Sequence, residues 1–119
     1  MFEKYKEKKH FKKVKKYVQE QIWNGQFARE KFRAVRERVR QNYDLTMEGL
    51  RGLKDGLAKP DIAEAAKTEL EARQAELGTQ LEEVKKNLAE WDAKIEAKAN
   101  EVAGGRAELQ MLTQYLKNL

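Results

Sequence analysis

The sequence contains no cysteine and no serine, and it has one histidine, His10, and one proline, Pro60. Without cysteine the chain forms no disulfide, no cysteine-ligated zinc site and no iron–sulfur cluster, and it has no thiol nucleophile. The missing serine excludes a Ser–His–Asp triad, and a single imidazole excludes a His-rich metal site within one chain. We therefore expect a protein that is not an enzyme, holds no cofactor and acts on no small-molecule substrate.

Long apolar runs are also missing from the sequence. No stretch of roughly 20 mostly apolar residues occurs, which a transmembrane helix requires. The Lys-rich stretch from Lys4 to Lys9 is not followed by the apolar run of a secretory signal. These absences predict a soluble, cytoplasmic protein. Charged residues make up 38% of the chain and hydrophobic residues 40%, a balance typical of long helices with narrow apolar stripes.

Positive charge is concentrated in the first third of the chain. Residues 1–42 contain 14 Lys and Arg against 5 Asp and Glu, a balance of +9, whereas residues 43–119 contain 11 against 15, a balance of −4. A basic arm on an acidic body binds an external polyanion or pairs with the acidic half, within one chain or between copies. Both interpretations stay open at the level of sequence.

Helix-breaking residues divide the chain into four predicted helical stretches. Pro60 gives the strongest break, because proline cannot continue a helix interior and disfavours helical geometry in the residue before it. Asn24-Gly25 and Gly104-Gly105 give weaker breaks, and the first of these is either a turn or a kink in one continuous helix. No period-two alternation indicates a strand. The predicted helices span residues 3–23, 26–58, 61–103 and 106–119.

Apolar residues after Pro60 follow a heptad, the strongest pattern in the sequence. A heptad of this kind, flanked by glutamates at a fixed position, is typical of a coiled coil. The pattern persists for about six heptads and continues past the Gly104-Gly105 pair. The candidate helix–helix interface therefore consists of Leu70, Leu77, Leu81, Val84, Leu88, Trp91, Ile95, Val102, Leu109, Leu112 and Leu116.

The segment before Pro60 carries a matching apolar stripe at three- and four-residue steps. Its members are Ala28, Phe32, Val35, Val39, Tyr43, Thr46, Leu50, Leu53 and Leu57. Two long helices joined by a tight turn lie antiparallel. We therefore predict a single all-α domain over 1–119, built on an antiparallel coiled-coil hairpin of 26–58 and 61–103 whose tip lies at 58–62. A basic amphipathic helix over 1–24 and a short C-terminal helix over 104–119 complete the prediction.

Two groups of basic residues form a candidate surface for a polyanion or another partner. Their members are Lys8, Lys9, Lys12, Lys13, Lys15 and Lys16 in one group and Arg29, Arg33, Arg36 and Arg40 in the other. The arginines share one helix face, where a row of guanidinium groups can follow a phosphate backbone. The alternative is that the row pairs with acidic residues of the facing helix, with Arg36 and Arg40 close to Glu82 and Glu83.

The predicted architecture favours an interaction protein. A long helical hairpin has little enclosed volume and much linear surface, so we expect a scaffold or assembly factor whose partner is another protein or a second copy. Its general character resembles the small helical scaffolding proteins that phages encode, a similarity of type without a shared motif. The alternative is a nucleic-acid-binding protein that uses the basic N-terminal half. A membrane-surface helix over 2–23 is disfavoured because its apolar stripe is narrow.

Overall fold

The structure is a computed structural model that describes residues 2–119, with side chains described from Glu3 onwards. It contains two long helices, α1 (Phe2–Leu57) and α2 (Glu64–Asn118). Within the described residues the remaining chain is the connection at 58–63 and the terminal Leu119, and none of it is strand. The predicted all-α helical hairpin is therefore confirmed.

The connection between the helices is built around Pro60, as predicted. The Ala58 N–H still donates to the carbonyl of Lys54, at 3.1 Å, which completes the last helical bond of α1. Residues 60 and 61 form a turn. Ala63 then accepts a hydrogen bond from the Lys67 N–H, at 2.9 Å. The second helix thus begins three residues later than the predicted position 61.

The predicted breaks at Asn24-Gly25 and Gly104-Gly105 are wrong, because both helices run through these positions without interruption. Gly25 and Gly105 both lie where the two helices approach closely. A Cβ atom at Gly25 would lie 2.9 Å from Cγ2 of Val102, and a Cβ atom at Gly105 would lie 2.9 Å from Cγ1 of Ile22. Packing at these two positions offsets the cost of about 1 kcal/mol for each glycine in a helix interior. The basic N-terminal segment and the C-terminal segment are consequently parts of α1 and α2 rather than separate helices.

The packing divides the chain into two compact units, and the prediction of a single domain stays a prediction. Unit 1 combines α1 up to Arg33 with the chain from Ala93 to Leu119. Val18 and Val102 are its buried centre, each 5% exposed. The ring of Phe11 also contacts that of Tyr115, with 4.8 Å between the ring centroids. Unit 1 is therefore held together by apolar contacts between the two helices.

Unit 2 comprises residues 34–92, the end of α1 with the beginning of α2. A Cβ atom at Gly49 would lie 3.3 Å from Cδ1 of Leu77, and one at Gly56 would lie 3.5 Å from Cδ1 of Leu70. Gly56 is one residue before the end of α1, while Leu70 is already six residues into α2. The connection and the first turn and a half of α2 therefore lie beyond the contact between Gly56 and Leu70, at the tip of the hairpin.

Candidate interaction surfaces

The apolar stripes of the two helices form a continuous row of buried and half-buried residues in each unit, which we call the seam. The structure places every residue of the predicted helix–helix interface on the seam. Val102 is buried. The other ten are half-buried: Leu70, Leu77, Leu81, Val84, Leu88, Trp91, Ile95, Leu109, Leu112 and Leu116. The nine stripe residues of α1, from Ala28 to Leu57, are half-buried as well.

Two seam residues, Gly25 and Gly105, were not identified from the sequence. Gly25 continues the three- and four-residue spacing of α1, and Gly105 continues that of α2, so uninterrupted spacing was the signal that identifies them. Lys98 is half-buried at a heptad position, and its Nζ lies 3.0 Å from Glu101 Oε2. A lysine can cover apolar surface with its stem while its ammonium group stays in water.

Three members of the predicted arginine row are paired with carboxylates. Arg33 Nη1 lies 3.2 Å from Glu30 Oε1, and Arg40 Nη2 lies 3.1 Å from Glu37 Oε1, both pairs lying within α1. Arg36 instead crosses to the other helix. Its Nε donates to Asp92 Oδ1 at 2.8 Å. The row is thus not a run of unpaired guanidinium groups, because its charges are largely balanced locally.

The pairing of the arginine row differs from the prediction, which placed Arg36 and Arg40 beside Glu82 and Glu83. Glu82 Oε1 accepts a hydrogen bond from Lys85 Nζ at 3.4 Å within α2. Asp92 lies ten residues beyond Glu82, which is about 15 Å along a helix. The predicted register is wrong because it assumes that α1 and α2 begin at the same level at the tip of the hairpin.

The six candidate lysines have a different environment from the arginines. Lys8, Lys9, Lys12, Lys13 and Lys16 are exposed, and Lys15 is half-buried. Within the part of the chain that the structure describes, none of the six forms an ion pair. From Glu3 to Arg33, α1 carries 11 Lys and Arg against 4 Asp and Glu. Net positive charge is therefore concentrated on this part of α1.

Large aromatic side chains are exposed on the same part of α1. Trp23 is 70% exposed, Tyr5 66% and Phe27 58%. The ammonium group of Lys31 lies 4.8 Å from the centroid of the Phe27 ring. Phe27 lies one helical turn beyond Trp23.

Open hollows lie on both sides of the Trp23 side chain. One, of about 310 Å³, is lined by Trp23, Gln26, Phe27, Arg29 and Glu30. The other, of about 410 Å³, is lined by Lys16, Gln19, Glu20, Trp23 and Asn24. Arg29 lines the first hollow, but its Nε–H is buried and has no acceptor among the described residues. Arg29 therefore differs from the three paired arginines of its row.

Tyr115 joins the end of α2 to the beginning of α1 in unit 1. Its hydroxyl group donates a hydrogen bond to the Glu7 carboxylate. This hydrogen bond raises the pKa of Tyr115 above its usual value of 10.0, with smaller contributions from reduced contact with water and from the negative charge of Glu7. The hydroxyl group of Tyr115 is therefore protonated at physiological pH, and it acts as a hydrogen-bond donor without charge.

No cluster of three metal-ligating side chains occurs among residues 2–119. None of the helical segments described there is long and apolar enough to cross a membrane. The chain matches no protein-family model, and neither a curated protein nor a solved structure is detectably similar to it.

Proposed function

We propose that the protein is a non-enzymatic, cytoplasmic scaffold or assembly factor that acts through helix–helix interactions, with a second copy as its first partner. The seam and the exposed Leu45 side chain provide the attractive surface, and the partner adds helices beside them. Two hairpins packed seam to seam make a four-helix bundle, an arrangement in which each apolar stripe faces a common core.

Incomplete burial of the seam is the observation that supports this proposal. Among the described residues only Val18 and Val102 are buried, although the two stripes run along nearly the whole of α1 and α2. Leu45, which is 65% exposed, adds apolar surface outside the seam in unit 2. Burying apolar surface releases about 25 cal/mol per Å², so covering a half-buried stripe with further helices is favourable.

Light scattering on a sizing column tests the proposal over protein concentrations from about 5 to about 500 µM. We expect the mass to rise from one chain to a defined oligomer. The melting temperature should rise with it, because association stabilises only the folded state. A single-chain mass and a constant melting temperature over the whole range would contradict self-association.

A matched pair of variants separates apolar contact from charge. Leu45→Gln should shift the association to higher concentration, while Glu48→Gln, one turn away on α1, should leave it unchanged. Both positions are exposed, so neither substitution disturbs the packing within the hairpin. Far-UV circular dichroism checks that both variants keep their helix content. If Leu45→Gln associates as well as the unmodified chain, the partner contacts other parts of the molecule.

A further inference from the structure

The strongest feature that helix–helix association leaves unused is the outer face of α1 in unit 1, which we call the Trp23 face. It consists of Tyr5, Lys9, Lys12, Lys16, Trp23 and Phe27. At 100° per residue, Lys9, Lys16 and Phe27 point roughly opposite to the seam residue Val18. All three are exposed, in agreement with that position. Packing within the hairpin therefore does not depend on contacts made by these side chains.

We propose that the Trp23 face binds single-stranded nucleic acid. Proteins that bind single strands combine a positively charged track for the backbone with aromatic side chains on which bases stack. The lysines of the Trp23 face provide the first component, since none of them forms an ion pair with the described residues. The exposed rings of Tyr5, Trp23 and Phe27 provide the second.

The hollows beside Trp23 place the two components next to each other. A base that enters the hollow between Trp23 and Phe27 contacts an aromatic ring and lies beside Arg29, which lines the same hollow. Arg29 reaches this hollow from the seam side of α1, and its Nε–H is buried without an acceptor among the described residues. Lys16 lines the hollow on the other side of Trp23, where it can neutralise the next phosphate. Arginine and lysine contacts of this kind position a strand without reading its sequence.

An anionic membrane surface shares the positive charge of this site but fits it less well. An amphipathic helix at a membrane buries its apolar face in the lipid. Here the apolar side of α1 is occupied, because Val18 is buried and Ile22 packs at Gly105. Lysines, rather than aliphatic residues, lie between the rings of Tyr5 and Trp23 on the outer face. A single strand needs only this outer face, with the hairpin intact.

Fluorescence anisotropy measures binding of a labelled oligothymidylate of about 20 nucleotides, with oligouridylate and a duplex of equal length for comparison. We expect salt-dependent binding of one or both single strands and weaker binding of the duplex, whose bases cannot stack on the rings. Tighter binding of one single strand then identifies DNA or RNA as the ligand. Trp23→Leu should weaken binding about 5- to 150-fold, the range for loss of one base–aromatic stack, and Trp23→Phe should retain most of it.

Salt dependence tests the lysines separately. The slope of log K against log salt is about −0.7 for each phosphate of a single strand that is neutralised. Lys12→Gln combined with Lys16→Gln should therefore reduce the slope by about 1.4. Lys67→Gln removes an exposed lysine from unit 2 and should leave the slope unchanged. Met111→Ala removes an exposed apolar side chain from α2 in unit 1 and should leave the affinity unchanged.

Trp23 itself reports stacking once the second tryptophan is replaced. In a Trp91→Phe variant, whose fold is checked by circular dichroism, binding of oligothymidylate should quench the Trp23 emission. The proposal is overturned if neither single strand binds, or if Trp23→Leu binds as tightly as the unmodified chain. Equal binding of the duplex without quenching also overturns it. So does binding to phosphatidylglycerol vesicles that survives in Trp23→Leu, because leucine inserts into lipid but cannot stack on a base.

Discussion

At the scale of single residues, the seven glycines have environments that differ sharply although all but one of them are far from a helix end. Gly105 faces Ile22 with no room for a methyl group, whereas its neighbour Gly104 has no atom within 4 Å of a Cβ position. Composition treats the two glycines as equivalent helix breakers. The structure instead makes one of them a close-packing residue and leaves the other as an unfavourable choice on an open surface.

The two neighbouring glycines should respond in opposite directions to alanine. Gly104→Ala should raise the free energy of unfolding by about 1 kcal/mol, because alanine favours the helix and meets open space. Gly105→Ala should lower it by about 1–3 kcal/mol, because the methyl group overpacks the seam. Urea unfolding followed by circular dichroism gives both values. Equal stabilisation by both substitutions would mean that the helices are further apart at Gly105 than in the structure.

Tyr115 should make the stability depend on alkaline pH. Because the pKa of Tyr115 is raised in the folded state, the folded chain keeps the proton above pH 10, where the unfolded chain loses it. The contribution is complete below the unfolded pKa and decreases as pH rises through the folded pKa. We expect the stability difference between the unmodified chain and Tyr115→Phe to shrink across this range. Tyr17→Phe is the control, since Tyr17 is exposed. A difference that stays constant with pH would contradict the assignment.

At the scale of helices, the sequence predicted the all-α hairpin and its tip correctly. These features follow from periodicity and from Pro60, which are local and strong signals. The unbroken apolar spacing through Gly25 and Gly105 indicated continuous helices, but the local cost of glycine outweighed that signal, because the compensating contacts come from the other helix. The partner of Arg36 could not be predicted, since the register depends on the level at which α2 begins. On the candidate surface, the role of the lysines stays a prediction, whereas the pairs of Arg33 with Glu30 and of Arg40 with Glu37 lie within α1 and do not depend on that register.

The first turns of α1 should be the most salt-sensitive part of either helix. Lysines at three- and four-residue spacing, such as Lys9, Lys12 and Lys16, repel one another. Positive charge near the N-terminus also opposes the helix dipole, against which the first turn offers only Glu3. We expect hydrogen exchange of α1 amides up to about residue 16 to slow as salt rises from about 0.01 to about 0.5 M, because salt screens this repulsion. Amides near Lys67 in α2 are the control and should change little.

At the scale of the whole molecule, the hairpin requires that α1 pairs with α2 of the same chain. The same stripes are satisfied if two chains exchange helices, so periodicity alone does not distinguish the two arrangements. The ion pair between Arg36 and Asp92 marks the pairing within unit 2. Because the chain lacks cysteine, a pair of introduced cysteines reports this pairing without interference.

Cross-linking with a short bismaleimide should therefore join Arg36→Cys to Asp92→Cys within one chain. Denaturing electrophoresis should show a compact monomer rather than a dimer. Arg36→Cys with Glu82→Cys is the matched control, and it should react poorly because Glu82 lies about 15 Å from Asp92 along α2. Efficient cross-linking of the control would support the register counted from the tip. A dimer band from the first pair would indicate exchanged helices.

The unbroken course of both helices restricts how the length of this protein can change during evolution. Deleting one residue inside α1 or α2 turns every later side chain of that helix by about 100°, which would move the following stripe out of the seam. Removing seven residues from one helix keeps its later side chains in phase, but it leaves a seven-residue length of the opposite helix without a partner. Homologues should therefore differ by matched seven-residue blocks, one in each helix. Single-residue insertions should be confined to the connection at 58–63.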